Sequence, residues 1–136
     1  MLTMREFDEL NHEKFGCDLN ALSDAYNEYF KEAAQVGDGA TLHWWTDSDP
    51  YTIIRRTPQS LTLQEDKATL DPDWKPDFRA GGFCGMVVNQ HEQSYTYEPN
   101  PEGRIIVARW SKKEKRFRFH GQYVTAGRRK FYDYNY

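Results

Sequence analysis

Cysteine is scarce in this chain, and its two copies, Cys17 and Cys84, stand far apart with no CxxC pair. That excludes a thiolate zinc cluster and a disulfide framework, so both read as reduced thiols. Long apolar runs are missing as well. No stretch approaches the roughly 20 residues of a membrane-spanning helix, and Met1 to Phe7 lacks the apolar run of a signal peptide. The expected location is therefore the cytoplasm, with no membrane partner. Catalytic signatures are wanting too. There is no HExxH, Walker sequence, G-x-S-x-G or GxGxxG, and no carboxylate pair stands apart from acids on helix faces and in turns. Cys84 and His91 make at best a weak thiol–imidazole signal. The expectation is a binding protein rather than an enzyme, without catalytic residues, cofactor or metal.

Aliphatic residues are few. With a mean hydropathy of -0.92 and 15% aromatics, the core has to be built largely from Trp, Tyr and Phe. A chain of 136 residues supports one such core, so residues 1–136 read as one domain. So polar a chain with so many rings also suits burial of some of them against copies of itself. Its charge is unevenly laid out. From Arg104 to Lys130 ten Lys or Arg face the single acid Glu114, although the whole chain carries -3. The basic part can meet a phosphate-like anion, the acidic helices of another copy, or solvent alone.

Thr3-Met4-Arg5-Glu6 fits a capping box and predicts a short helix that stops at Gly16. Asp18 caps a second, whose stripe of Leu19, Leu22, Tyr26, Tyr29, Phe30 and Ala33 faces the sheet or another subunit. Residues 1–36 thus form a helical N-terminal region. From residue 40 the period changes to two, and residues 40–136 read as an antiparallel β core. Turns fall at 47–50 and 58–60, with strands at 51–57 and 61–66. Further strands follow at 94–98, 104–110 and 116–120, and the aromatic end from Phe131 to Tyr136 is expected to dock. The predicted fold is α+β: N-terminal helices on a small, strongly bent antiparallel sheet of five to six strands that can close like a barrel.

A long loop at 71–93 interrupts the sheet. Asp71 to Gly82 resembles a calcium loop in its alternating acids, but Pro76 and Gly82 hold the positions that need Gly and Glu, so metal binding is rejected. The remainder, Asp77 to Gln93, is rich in glycine, aromatics and amides. Gly82 permits close approach of a ligand, Phe78 and Phe83 offer rings for stacking, and Asn89 and Gln90 can read a base edge. Each has a plainer role as core plug or loop cap. Alternation puts Arg109 on one strand face with Ile105 and Val107, where it pairs with Glu65, Glu92 or Glu98 or meets a ligand. Arg55 and Arg56 fall on opposite faces, so one of them at most points as Arg109 does.

Several stretches together resemble small proteins encoded by phages and prophages: Leu61 to Pro72, Gly81-Gly82-Phe83 with Asn89-Gln90, Tyr95 to Pro99, and Phe131 to Asn135. They span roughly residues 36 to 136. With its helix, small sheet and Gly-Phe loop, the layout resembles the first class of Thoeris anti-defence proteins. The resemblance implies a phage sponge in the host bacterial cytoplasm that sequesters a cyclic ADP-ribose signal, or a cyclic oligonucleotide, as a homo-oligomer up to a hexamer. It assigns ring stacking and polar contacts to Phe83, Asn89, Arg109 and one of Arg55 or Arg56. The alternative is an SH3-like barrel whose basic half contacts nucleic acid or a host protein such as a nuclease.

Overall fold

Both helices begin at the caps that the sequence marks. The computed structural model describes residues 1–16, 18–81, 84–87 and 89–131. Helix α1 (Met4–Phe15) starts in a complete capping box: the Thr3 hydroxyl accepts from Glu6 N–H, and the Glu6 carboxylate accepts from Thr3 N–H. Helix α2 (Leu19–Ala33) starts where the Asp18 carboxylate accepts from Ala21 N–H. Phe7 of α1 sits against Tyr26 and Tyr29 of α2, with ring centroids 5.4 and 5.3 Å away. No residue of α1 is fully buried, whereas α2 buries Leu22, Asn27 and Phe30. Leu19, assigned to the apolar stripe by its spacing, is exposed instead.

The strands run β1 (Gly39–His43), β2 (Ser48–Thr57), β3 (Ser60–Glu65), β4 (Lys67–Leu70), β5 (Phe78–Gly81), β6 (Cys84–Val87), β7 (Tyr95–Glu98), β8 (Ile105–Ser111), β9 (Arg116–Phe119) and β10 (Gln122–Ala126). Six of them close an antiparallel barrel in the order β1-β2-β3-β8-β9-β10, with β10 returning to β1. The fold is thus α+β, with two N-terminal helices on a strongly curled sheet. Between β3 and β8 are inserted two separate pairs, β4 with β7 and β5 with β6.

Three expectations differ from this arrangement. The turn placed at 47–50 lies earlier, closed by Trp44 N–H donating to Asp47 C=O, so β2 starts at Ser48 and takes in a buried Pro50. Residues 67–70 and 122–126 form strands that turn chemistry and glycines had hidden. The long loop expected at 71–93 contains the paired strands β5 and β6 and a short 3-10 helix (Gln90–Glu92). Beyond Phe131, whose backbone pairs with Ser48, the aromatic end lies outside the described residues.

Leu42, Tyr51, Ile53, Leu61, Leu63, Ala108, Phe117 and Val124 fill the barrel, each almost wholly removed from water. One end is closed by α2. Phe30 meets Phe117 edge-on at 5.7 Å, and Trp110 meets Phe117 at 5.1 Å. The Arg56 guanidinium donates to the carbonyls of Lys31 and Ala34, groups that a helix C-terminus leaves without partners. Toward the other end, Arg104 lies over the rings of Trp44 and Phe119, at 5.7 and 5.4 Å.

A bulge in β2 decides where its arginines go. Ile53 pairs with Leu63 while Arg55 pairs with Thr62, so one extra residue, Ile54, is accommodated between them. Arg55 therefore turns outward and Arg56, opposite the buried Leu61, lies on the inward side at the helix end. Near the chain end, Arg128 donates to the buried Asp66 carboxylate (2.9 Å), which also accepts from the Thr52 hydroxyl at 2.5 Å. Among the described residues no helix is long and apolar enough to cross a membrane. Truncation of Phe30 to Ala removes the plug and is expected to cost about 3–5 kcal/mol. Urea unfolding measures it, and a loss below about 1 kcal/mol would contradict the packing described.

Candidate ligand-binding face

On β8 the inward residues are Ile106 and Ala108, so Ile105, Val107 and Arg109 stand on the outside of the barrel. Register then extends this outer face. Arg109 is opposite Arg118 on β9, Arg118 is opposite Tyr123 on β10, and Tyr123 is opposite His43 on β1. Directly paired residues share a face, so these four form one row across about 14 Å, three strand spacings.

Two guanidiniums directly opposite each other on neighbouring strands repel. Glu114 offsets one of them, since Arg118 donates to its carboxylate at 2.7 Å. The Arg109 side chain has no hydrogen bond or ion pair among the described residues, so the pairing with Glu65, Glu92 or Glu98 does not form there. Arg118 Nε and Glu114 Oε2 are buried without a partner among the described residues. One positive charge and the donors of the exposed Arg109 guanidinium are thus left over, and an anion would satisfy both.

Beside this pair lies a cavity of about 430 Å³ lined by Val107, Arg109, Arg118, Phe119 and His120. The β9–β10 turn brings His120 there. Its φ of +46°, followed by +82° at Gly121, makes the two-residue turn whose twist suits a tight hairpin. Histidine tolerates this region better than most residues. Next along the row Tyr123 lies under Arg116 at 4.4 Å and Arg118 at 5.5 Å. Beyond it a second cavity, about 270 Å³, is lined by His43, Trp44, Trp45, Asp47, Arg129 and Phe131 among others. His43 Nε2 shares a hydrogen bond of 2.7 Å with the Thr125 hydroxyl. Burial, aided by the nearby Arg129 charge, pushes its imidazole below the usual histidine range.

The residues singled out from sequence fall in different places. Arg55 shares the outer face with Thr62 and Val107. Arg56, by contrast, is held against the end of α2, so of the two only Arg55 points as Arg109 does. Asn89 braces its own loop: its side-chain oxygen accepts from Asp77 N–H at 2.7 Å, and its amide donates to Lys75 C=O at 2.9 Å. Gln90 opens the short 3-10 helix, and its carbonyl accepts from the Gln93 side chain. Phe78 starts β5 opposite Val87. Gly82 and Phe83 lie outside the described residues. No described residue of 71–93 lines the Arg109 cavity. The group that does gather around Arg109 includes Arg118 and His120, which were not singled out from sequence; their alternation with the buried Phe117 is the signal that could have found them. Among the described residues no group of three His, Cys, Asp or Glu is placed to hold a metal ion.

Comparison with protein-family models, with curated proteins and with solved structures finds no match.

A histidine whose folded pKa is lowered favours the folded state fully above its unfolded value, about 6.5, and loses that contribution as pH falls below it. Thermal stability is therefore expected to fall from pH 7 to pH 5, and His43→Asn to reduce that fall. Parallel melting curves that differ by the same amount at both pH values would refute it.

Proposed function

We propose that this chain binds a small nucleotide and holds it without transforming it, with the phosphate against Arg109 and Arg118 and a ring against Phe119 and His120. The observation that carries this reading is Arg109: an outward guanidinium without an internal partner among the described residues, opposite a second guanidinium, on the rim of a cavity. A planar, permanently charged fork is well matched to phosphate oxygens. Within the nucleotide class, the resemblance to the first class of Thoeris anti-defence proteins selects a cyclic ADP-ribose isomer. The biological role is then that of a phage sponge, acting in the host cytoplasm. Self-association belongs to the same reading. Residues 4–33 carry eight acids against three Lys or Arg, a charge opposite to that of the basic barrel strands of another copy.

A second reading rests on the continuity of the row. Two guanidiniums and then two rings follow one another across four strands, a set that also suits the phosphates and bases of single-stranded nucleic acid. Salt separates the two, because each phosphate neutralised in a single strand contributes about 0.7 to the slope of log affinity against log salt, and a small nucleotide has few.

Calorimetric titration with cyclic ADP-ribose isomers, followed by denaturation and analysis of the released ligand, tests the first reading. Tight binding and intact recovery are expected, with Arg109→Ala weakening binding about 10- to 100-fold, the loss of one charge-assisted contact. Recovery of a cleaved product would show turnover, and equal affinity of the variant would remove Arg109 from the site.

A further inference from the structure

The second cavity stands apart from the Arg109 site and is built by two segments fixed against each other. The first is the β1–β2 turn, which Trp44 N–H and Asp47 C=O close at 2.8 Å. The other is the extended stretch 128–131, where Phe131 exchanges two backbone hydrogen bonds of 3.0 Å with Ser48. Asp49 joins them. One of its oxygens accepts from the Trp44 indole at 2.8 Å and the other from Lys130 Nζ at 2.6 Å. Lys130 is thereby turned toward Asp49, and its neighbours Arg129 and Phe131 line the cavity.

Trp45 at the tip of the turn is 89% exposed. A lone exposed apolar residue is ordinary on a protein surface. This one borders a concave site beside an imidazole, a phenyl ring and the Arg129 guanidinium, which has no hydrogen bond or ion pair among the described residues. With Asp47 as the one acid among the described lining residues, charge alone does not define the site, and flat faces supply the rest. The volume falls just below the roughly 300–1,000 Å³ of pockets that enclose a drug-sized ligand, which suits one ring system.

We infer that this cavity is a second ligand site that takes a base-plus-phosphate unit, with the base stacked on Trp45 and the phosphate paired with Arg129. Every base has a flat face, so such stacking is tolerant of sequence. The unit can come from a free nucleotide or from a residue of single-stranded nucleic acid, and the row through Tyr123 gives a strand a path onward. This site does not depend on the Arg109 reading.

Tryptophan fluorescence titrations with adenosine monophosphate and with a ten-residue oligothymidylate provide the test. Quenching is expected, and Trp45→Ala is expected to weaken binding by about 5- to 150-fold. Its melting temperature should hold, since the side chain is almost fully exposed. Arg129→Gln should lower the salt slope for the oligonucleotide by about 0.7. An oligonucleotide that binds at least about 10-fold more tightly than the monophosphate identifies a strand as the source, and equal affinities identify a free nucleotide. Arg109→Ala should leave the Trp45-dependent quench in place, which separates failure of the first site from failure of this one. Unchanged binding of both probes to Trp45→Ala, or loss of the quench in Arg109→Ala, would overturn the inference.

Discussion

Closure of the barrel by β10 on β1 is the constraint from which the other features follow. The pairs Ala40 with Ala126 and His43 with Tyr123 join residues 80 or more positions apart in the chain. Without them β1 and β10 would be edges with free backbone groups, and the interior around Phe117 and Val124 would be open to water. With them, inward positions make a core of mainly aliphatic side chains around Phe30, Tyr51 and Phe117, not the largely aromatic one that composition suggested, and outward positions of four successive strands line up. The proposed binding face is therefore a by-product of the same register that builds the core.

Two further devices keep the barrel shut. At one end Phe30 enters the core and Arg56 satisfies the carbonyls at the end of α2, so the helix is held by packing and by charge-assisted hydrogen bonds together. At the other, Arg104 covers Trp44 and Phe119, with its cation against their ring faces. Arginine thus has two uses here. Arg56, Arg104 and Arg128 close structure, whereas Arg109 and Arg129 face outward without internal partners among the described residues. Composition alone treats them alike. What separates them is whether a carbonyl, carboxylate or ring lies within reach.

The two cavities sit at the ends of one row and differ in character. Near Arg109 two guanidiniums and an imidazole dominate, and a phosphate is the group that such a set fits best. Near Trp45 the rings dominate, and one guanidinium adds charge. Tyr123, with Arg116 and Arg118 over its ring, lies between them. A ligand with both phosphates and bases has something to gain at each position, which is why nucleotide chemistry connects the two.

Local pattern was enough for the helices, because a capping box and a stripe at helical spacing depend only on residues within one or two turns. It was also enough to put Ile105, Val107 and Arg109 on one face of β8, but not to tell that the barrel buries the opposite face, with Ile106 and Ala108. It could not decide between Arg55 and Arg56, since an extra residue in β2 changes which face each occupies. Nor could it find β4 and β10, short runs whose strand character comes from partners distant in the chain. Asn89 carries the chemistry to read a base, yet the nearby Lys75 and Asp77 backbone engages its amide. Hydrogen-bonding capacity is a property of sequence, but what fills that capacity is set by tertiary neighbours. For the same reason Arg118, His120, Tyr123, Trp45 and Arg129 became a face only when β10 met β1 and brought them side by side.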